Sequence, residues 1–206
     1  MVSMAASHSV GKIAKDVIFG ASAACKEAVN KHGSEKVTNA TIGAIMDDTG
    51  KLACIPIVEK VLRTLPTNDL ISYAPISGIP EYLDMATELT FGNHRPDGYT
   101  AAVATAGGTG GIHHTIWNYT EMGDSVLTSD WFWGTYNMLC RESGRKLVTY
   151  PLFDDKQNFN TAAFAVKVDE LMAKQDSLLI IINTPAHNPT GYSLSDSDWS
   201  NVLDIC

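Results

Sequence analysis

The stretch SLLIIINTPAHNPTG, residues 177–191, decides the fold of this chain. The five residues at 178–182 are all apolar, which is typical of a strand buried on both faces of a parallel sheet. The strand runs into two X-Pro bonds and several hydrogen-bonding side chains, among them Asn188. Ligands of an open parallel sheet bind beyond the carboxyl ends of its strands. This segment is therefore a candidate binding loop, although Asn-Pro-Thr-Gly is also a plausible surface turn.

Strand and helix candidates alternate over the region that surrounds this strand. Extended runs are predicted at 100–106, 125–129, 146–152 and 177–182. Helices are predicted at about 109–122, 133–143, 161–175 and 195–205 and, farther upstream, at 16–33 and about 56–64, with a polar loop at 66–78. Repeated strand–helix–strand units imply right-handed crossovers and a mainly parallel sheet covered on both faces. The predicted fold class is therefore α/β, a three-layer αβα arrangement.

Composition restricts the partners of the protein. The 206 residues carry a formal charge of −8, which argues against nucleic acid and against an anionic membrane surface as partners. No apolar run is long enough to span a bilayer, and the first 16 residues contain no apolar core typical of a secretory signal. The four cysteines are scattered, without the spacing of a zinc site or a disulfide framework. These features predict a cytoplasmic protein without a metal site.

Two further loops follow predicted strands. In the glycine loop, TAGGTGG (105–111), glycines at the start of a helix let successive N–H groups converge on one anion. The positive end of the helix dipole adds to the attraction. In the aromatic loop, SDWFWGTY (129–136), an aromatic side chain at the end of a strand can lie on a planar cofactor ring. The alternatives are close helix–strand packing for the glycines and simple coverage of the sheet for the aromatic rings.

A nicotinamide dinucleotide site is a different interpretation of the glycine loop. Asp130 lies about 20 residues downstream, where such sites carry an acidic residue for the ribose. The third glycine of the fingerprint is missing, however, because His113 stands there. An oxidoreductase is therefore the less favoured alternative.

The loops together resemble one family. ISYAPISGIPEYLDMATELTFG (71–92), the glycine loop, the aromatic loop and NTPAHNPTG (183–191) occur in the order and approximate spacing of class I aminotransferases, pyridoxal-phosphate enzymes of the aspartate and aromatic amino-acid type. The resemblance covers about residues 37–206. It implies pyridoxal 5'-phosphate as cofactor, an α-amino acid and a 2-oxo acid as substrates, and a homodimer.

The resemblance also implies a division into domains. Residues 1–50 would contribute to the small domain of such an enzyme, and residues 51–206 would form the first part of its large cofactor-binding domain. The fold would therefore be incomplete, and the run at 100–106 would pair with strands from sequence beyond Cys206.

The resemblance assigns cofactor contacts residue by residue. Gly107, Gly108 and Thr109 match the loop that binds the cofactor phosphate. Trp133 matches the aromatic residue that stacks on the pyridine ring. Asn188 matches the asparagine that donates a hydrogen bond to the 3'-oxygen of the cofactor and also contacts the substrate carboxylate.

Further residues match the family at the substrate side and at the interface. Tyr73 matches a tyrosine that reaches the cofactor phosphate of the neighbouring subunit, and Gly43 matches a backbone contact to the substrate carboxylate. Pro189 matches a proline whose preceding peptide bond is typically cis. Tyr136 stands where aspartate-specific members often carry histidine, which weakens an assignment of aspartate as substrate.

The catalytic lysine of the family has no counterpart here. In the family it follows the HNPTG motif, and no lysine follows Lys174 in this chain. We therefore expect no catalytic residue within these 206 residues and place the Schiff-base lysine beyond Cys206. Two alternatives stay open: a catalytically silent fragment or pseudoenzyme, and another pyridoxal-phosphate reaction, such as that of a lyase or a decarboxylase, on the same fold.

Overall fold

A computed structural model describes residues 4–11, 17–41, 43–47 and 51–206. Contacts divide the chain into two compact units, 1–73 and 74–206. The domain boundary near residue 50 refers to the domains of a longer enzyme and stays a prediction.

The first unit is mainly helical in its described part. Its helices are α1 (Val17–His32), α2 (Pro56–Thr64) and α3 (Thr67–Ile71). The first two agree with the predicted helices, and Gly33, with φ of +90°, ends α1 as a left-handed cap. Helix α3 corrects the prediction of a loop over 66–78. Pro66 provides its N-cap, and a one-turn helix of this length has too few residues for an apolar periodicity to show.

The second unit alternates helices with short strands. Its helices are α4 (Pro80–Phe91), α5 (Gly107–Tyr119), α6 (Thr135–Glu142), α7 (Thr161–Met172) and α8 (Asp196–Ile205). Its strands are β1 (Ser125–Ser129), β2 (Lys146–Tyr150) and β3 (Leu179–Ile180). Side chains set two of the helix starts: Asn160 accepts from the N–H of Ala163 at α7, and Ser195 and Asp198 form a capping box at α8.

The three strands form a parallel sheet in the order β2-β1-β3. Strand β1 is central, with Val126 opposite Leu147 and Leu179, and Leu127 opposite Val148 and Ile180. Within the described residues, β3 pairs with a strand along only one of its edges.

Successive residues of β1 face opposite layers of helices. Leu127 belongs to a buried cluster built with α7 and α8 (Tyr150, Leu152, Phe159, Phe164, Val168, Leu171 and Val202). Val126 belongs to a second cluster with α5 and α6 (Ile116, Leu139 and Cys140). Helices therefore cover both faces of the sheet, which confirms the predicted three-layer αβα fold with a parallel sheet.

The extended run predicted at 100–106 forms no ladder with the described strands. Its predicted pairing with strands from other sequence stays a prediction. A backbone hydrogen bond from the Ala104 N–H to the Ser77 carbonyl, at 2.8 Å, ties this segment to the loop before α4. An extended segment becomes a strand only when a neighbour satisfies its backbone groups, and none of the described strands lies beside this one.

Candidate functional site

The glycine loop opens helix α5 with unsatisfied donors. Gly107 has φ of +65°, which turns the chain into the helix after Ala106, a residue with no capping side chain. Within the described part of the chain, no acceptor faces the N–H groups of Gly108 and Thr109 or the Thr109 hydroxyl. A Cβ added to Gly107 or Gly108 would meet no atom within 4 Å. The loop therefore offers open space and free donors at the positive end of a helix, as anion sites do.

The aromatic loop begins directly after β1 and leads into α6. Trp133 is half-buried and packs edge-to-face on Tyr136, with the ring centroids 5.7 Å apart. The Tyr136 ring is buried and is also stacked on Phe132 at 6.4 Å. Trp131 is the more exposed tryptophan of the pair, at 53%. Trp133 therefore rests on a fixed aromatic base and keeps part of its surface free for a ligand.

The HNPTG loop turns sharply after β3. The bonds Thr184–Pro185 and Asn188–Pro189 are both cis, which confirms the predicted geometry before Pro189. The Gly191 N–H donates to the His187 carbonyl, and the His187 N–H donates to the Tyr192 carbonyl, so the loop closes on itself. Asn188 lies at its exposed tip.

Buried His187 connects the HNPTG loop to the aromatic loop. Its Nε2 lies 3.4 Å from the Ser129 hydroxyl, and its Nδ1 lies 2.9 Å from the Thr190 hydroxyl. The Ser129 hydroxyl donates to the Trp131 carbonyl, so we assign the proton of the neutral ring to Nε2 and an acceptor role to Nδ1. Burial lowers the pKa of His187, although a hydrogen bond with the Trp131 backbone opposes this effect. Burial of the ring therefore favours its neutral form.

Asn183 makes a second connection, which the sequence interpretation missed. Its side-chain amide donates to the Tyr136 hydroxyl at 3.2 Å, and its carbonyl oxygen accepts from the Asn188 N–H at 3.2 Å. Asn183 therefore links Tyr136, on which Trp133 packs, to Asn188, which is predicted to contact the cofactor oxygen. The available signal was its position, as the first polar residue after a buried strand.

Asp130 supports the same end of the sheet in a way that argues against the dinucleotide interpretation. One carboxylate oxygen accepts from the N–H groups of Trp131, at 3.0 Å, and Leu152, at 2.9 Å. This oxygen ties the loop after β1 to the loop after β2. A carboxylate used to hold two loops is poorly suited to bind a ribose.

The glycine loop lies near the same end of the sheet. A groove of about 410 Å³ runs between α5 and β3, and both Gly108 and Ile182 line it. Ile182 immediately precedes Asn183. All three predicted loops therefore belong to one region of the second unit, at the carboxyl ends of β1 and β3.

Gly43 and Tyr73 belong to the first unit. Both are exposed, and the Tyr73 side chain is fully so. Their predicted contacts with substrate and with a neighbouring subunit stay predictions.

Comparison with known proteins identifies the family. The family model for aminotransferase class I and II matches residues 35–206. The chain belongs to this family. The matching proteins include both aspartate and aromatic amino-acid aminotransferases. Membership of the family alone therefore leaves the amino-acid substrate open.

Individual relatives agree with the assignment. Curated relatives include cytoplasmic and mitochondrial aspartate aminotransferases, and the cytoplasmic enzyme of Dictyostelium discoideum is 27% identical over 92% of this chain and 43% of its own length. An aminotransferase structure from Anaerococcus prevotii is 35% identical, with a TM-score of 0.95 over 99% of this chain and 50% of that one. The aromatic-amino-acid aminotransferase of Burkholderia pseudomallei, covalently bound to pyridoxal phosphate, is 25% identical, with a TM-score of 0.75 over 98% of this chain and 51% of that one.

The chain spans about half the length of the aminotransferases it matches. Across the described residues, every helix is too short or too polar to cross a bilayer.

Proposed function

We propose that this chain is the cofactor-binding part of a pyridoxal-phosphate-dependent aminotransferase that moves an amino group between an α-amino acid and a 2-oxo acid. The observation that carries the proposal is the grouping of three loops, at the ends of β1 and β3 and at the start of α5. The family match over 35–206 supports the cofactor.

The residues at the glycine loop fit a phosphate ester. Gly108 and Thr109 offer two N–H groups and one hydroxyl, all without an acceptor among the described residues. The protein is acidic overall, with a charge of −8, so local donors at a helix start are the physical means by which it would hold an anion. We assign Gly107, Gly108 and Thr109 to the cofactor phosphate.

The other two loops fit a flat ring with an oxygen substituent. Trp133 would stack on the ring, supported from below by Tyr136 at 5.7 Å. Asn188 would donate its side-chain amide to the 3'-oxygen, since its backbone is already fixed by Asn183. When bound, pyridoxal phosphate supplies the electron sink for amino-group chemistry, and the residues of this chain orient it.

The proton transfer needs a base that these loops do not supply. By the family resemblance, a lysine takes this role. We assign the substrate carboxylate to Asn188, and the contact of the Gly43 backbone stays a prediction. We propose aspartate or an aromatic amino acid as donor substrate, in line with the two kinds of relatives.

Ligand binding tests the cofactor assignment. Pyridoxal 5'-phosphate should bind the natural polypeptide that carries this sequence and quench its tryptophan fluorescence. Trp133→Phe should remove most of the quenching, whereas Trp131→Phe, a change at the more exposed neighbour, should remove little. Binding without any dependence on Trp133 would contradict the assignment.

Product analysis tests the reaction class on the same polypeptide. Transfer of a ¹⁵N label from an α-amino acid to a 2-oxo acid supports an aminotransferase. Release of free ammonia or carbon dioxide instead would indicate a lyase or a decarboxylase. Tight cofactor binding without turnover would indicate a catalytically silent protein.

We also propose a cytoplasmic homodimer. The four cysteines at 25, 54, 140 and 206 are all unpaired, as expected in a reducing compartment, and one relative is cytoplasmic. The fully exposed Tyr73 ring supports a role across a subunit interface. Light scattering should give twice the chain mass, and fractionation should separate a cytoplasmic from a mitochondrial location.

A further inference from the structure

Arg145 is a buried cation with no carboxylate partner among the described residues. Its side chain lies between α5 and α6 with only 7% of the residue exposed. Burying an isolated charge is costly unless hydrogen bonds and dipoles replace the lost water. The partners that Arg145 does have are therefore informative.

All the side-chain hydrogen bonds of Arg145 go to the carboxyl ends of two helices. Nε donates to the Thr120 hydroxyl at 2.9 Å, and Nη2 donates to the carbonyls of Thr120 and, at 3.5 Å, of Trp117, both at the end of α5. Nη1 donates to the carbonyl of Ser143, the C-cap of α6. The guanidinium also lies 5.1 Å from the centre of the Trp117 ring.

This arrangement stabilises the buried charge by the dipoles of two helices. The last carbonyls of a helix lack partners within it and carry partial negative charge. One planar guanidinium with five donors can satisfy the ends of both helices at once, which an ammonium group of lysine cannot do with the same geometry. Arg145 therefore fixes α5 and α6 to each other at their carboxyl ends.

The opposite ends of the same two helices carry the candidate site. Helix α5 begins at the glycine loop, and α6 begins two residues after Trp133. The thirteen residues of α5 put its first turn roughly 20 Å from the guanidinium, at 1.5 Å per residue. A packed helix transmits an axial shift or a tilt at one end to the other end.

We propose that Arg145 is a positioning residue that sets the phosphate-binding turn of α5 relative to the ring-stacking loop of α6 by clamping the far ends of both helices. The ligand in this inference rests on the proposed function. The clamp itself rests only on the hydrogen bonds given above.

Hydrogen exchange tests the clamp without a ligand. In Arg145→Met, amides 110–115 of α5 should exchange roughly tenfold faster or more, because hydrogen bonds to an ionised group each contribute more than that factor. Amides of β2, 146–150, should change much less. Arg145→Lys should fall in between, and it serves if Arg145→Met does not fold. Arg141→Met, which removes the exposed arginine of α6, is the matched control and should leave α5 unchanged.

Equilibrium binding tests the link to the phosphate. The affinity ratio of pyridoxal 5'-phosphate to pyridoxal isolates the contribution of the phosphate. Arg145→Met should lower this ratio roughly tenfold, the same factor by which amide exchange in α5 should rise. Arg141→Met should leave the ratio unchanged. An equal loss for both ligands, or faster exchange spread evenly over α5 and β2, would overturn the proposal. A wild-type protein that does not prefer the phosphorylated ligand would refute the proposed function instead, and the exchange result alone would then decide the clamp.

Discussion

Replacing two neighbouring glycines tests the geometry of the phosphate turn. Gly107 has φ of +65°, a region where a side chain costs about 1–2 kcal/mol, whereas Gly108 lies outside this region. Replacing glycine by alanine also removes freedom from the unfolded chain, which stabilises the fold by roughly 0.4–1 kcal/mol where the backbone permits it. Gly107→Ala should therefore lose about 1 kcal/mol of unfolding free energy, and Gly108→Ala should gain up to about 1 kcal/mol.

The contrast between the two variants is the measured quantity. Neither added Cβ meets another atom within 4 Å, so steric overlap does not contribute to the difference. Denaturant unfolding of both variants should differ by about 1–2 kcal/mol, or roughly tenfold in the folding constant. Both should bind pyridoxal phosphate more weakly, the first because its turn moves and the second because a methyl group enters the open space beside the donors. Equal stabilities, or a less stable Gly108→Ala, would refute this reasoning.

Three further predictions concern the loops and the core. Asn183→Leu should weaken pyridoxal phosphate binding roughly tenfold by releasing Tyr136, whereas Asn183→Asp keeps an acceptor for both partners and should lose less; equal losses would contradict the link. Burial lowers the pKa of His187 from 6.5, so its contribution to stability is present above pH 6.5 and is lost as the pH falls through the lower pKa of the folded state. His187→Gln should therefore flatten the decline in unfolding free energy between pH 7.5 and 5. An unchanged slope would exclude His187 as the cause of the decline. Phe164→Ala, at a fully buried position, should cost about 3–5 kcal/mol in thermal or denaturant unfolding, against less than about 0.5 kcal/mol for the exposed Val166→Ala on the same helix; similar costs would contradict the described core.

Local patterns predicted the parts of the fold that depend on local information. The helices predicted at about 56–64 and 161–175 are present at Pro56–Thr64 and Thr161–Met172. The alternation of β1, β2 and β3 with helices followed from the strand–helix rhythm. The order of the strands did not: the apolar run at 177–182 suggested a central strand, whereas β1 is central and β3 pairs with β1 alone among the described strands. The segment 100–106 pairs with none of the described strands. A ladder depends on a neighbouring strand, and no local pattern contains that information.

The candidate site divides in the same way. The family resemblance picks out Gly107, Trp133 and Asn188, because each lies in a short sequence motif. It does not pick out Asn183 or Arg145, because their importance lies in hydrogen bonds to residues distant in sequence. For example, the Asn183 amide donates to the hydroxyl of Tyr136, a residue 47 positions away in the chain.

Amide shift mapping tests the central claim most directly. The claim is that the loops at 107–111, 131–134 and 183–191 bind one pyridoxal phosphate molecule together. Adding the cofactor to the ¹⁵N-labelled natural polypeptide should shift amides of all three loops with a single saturation curve, and should leave helix α7 unchanged. Shifts confined to one loop, or different saturation curves for different loops, would contradict the account.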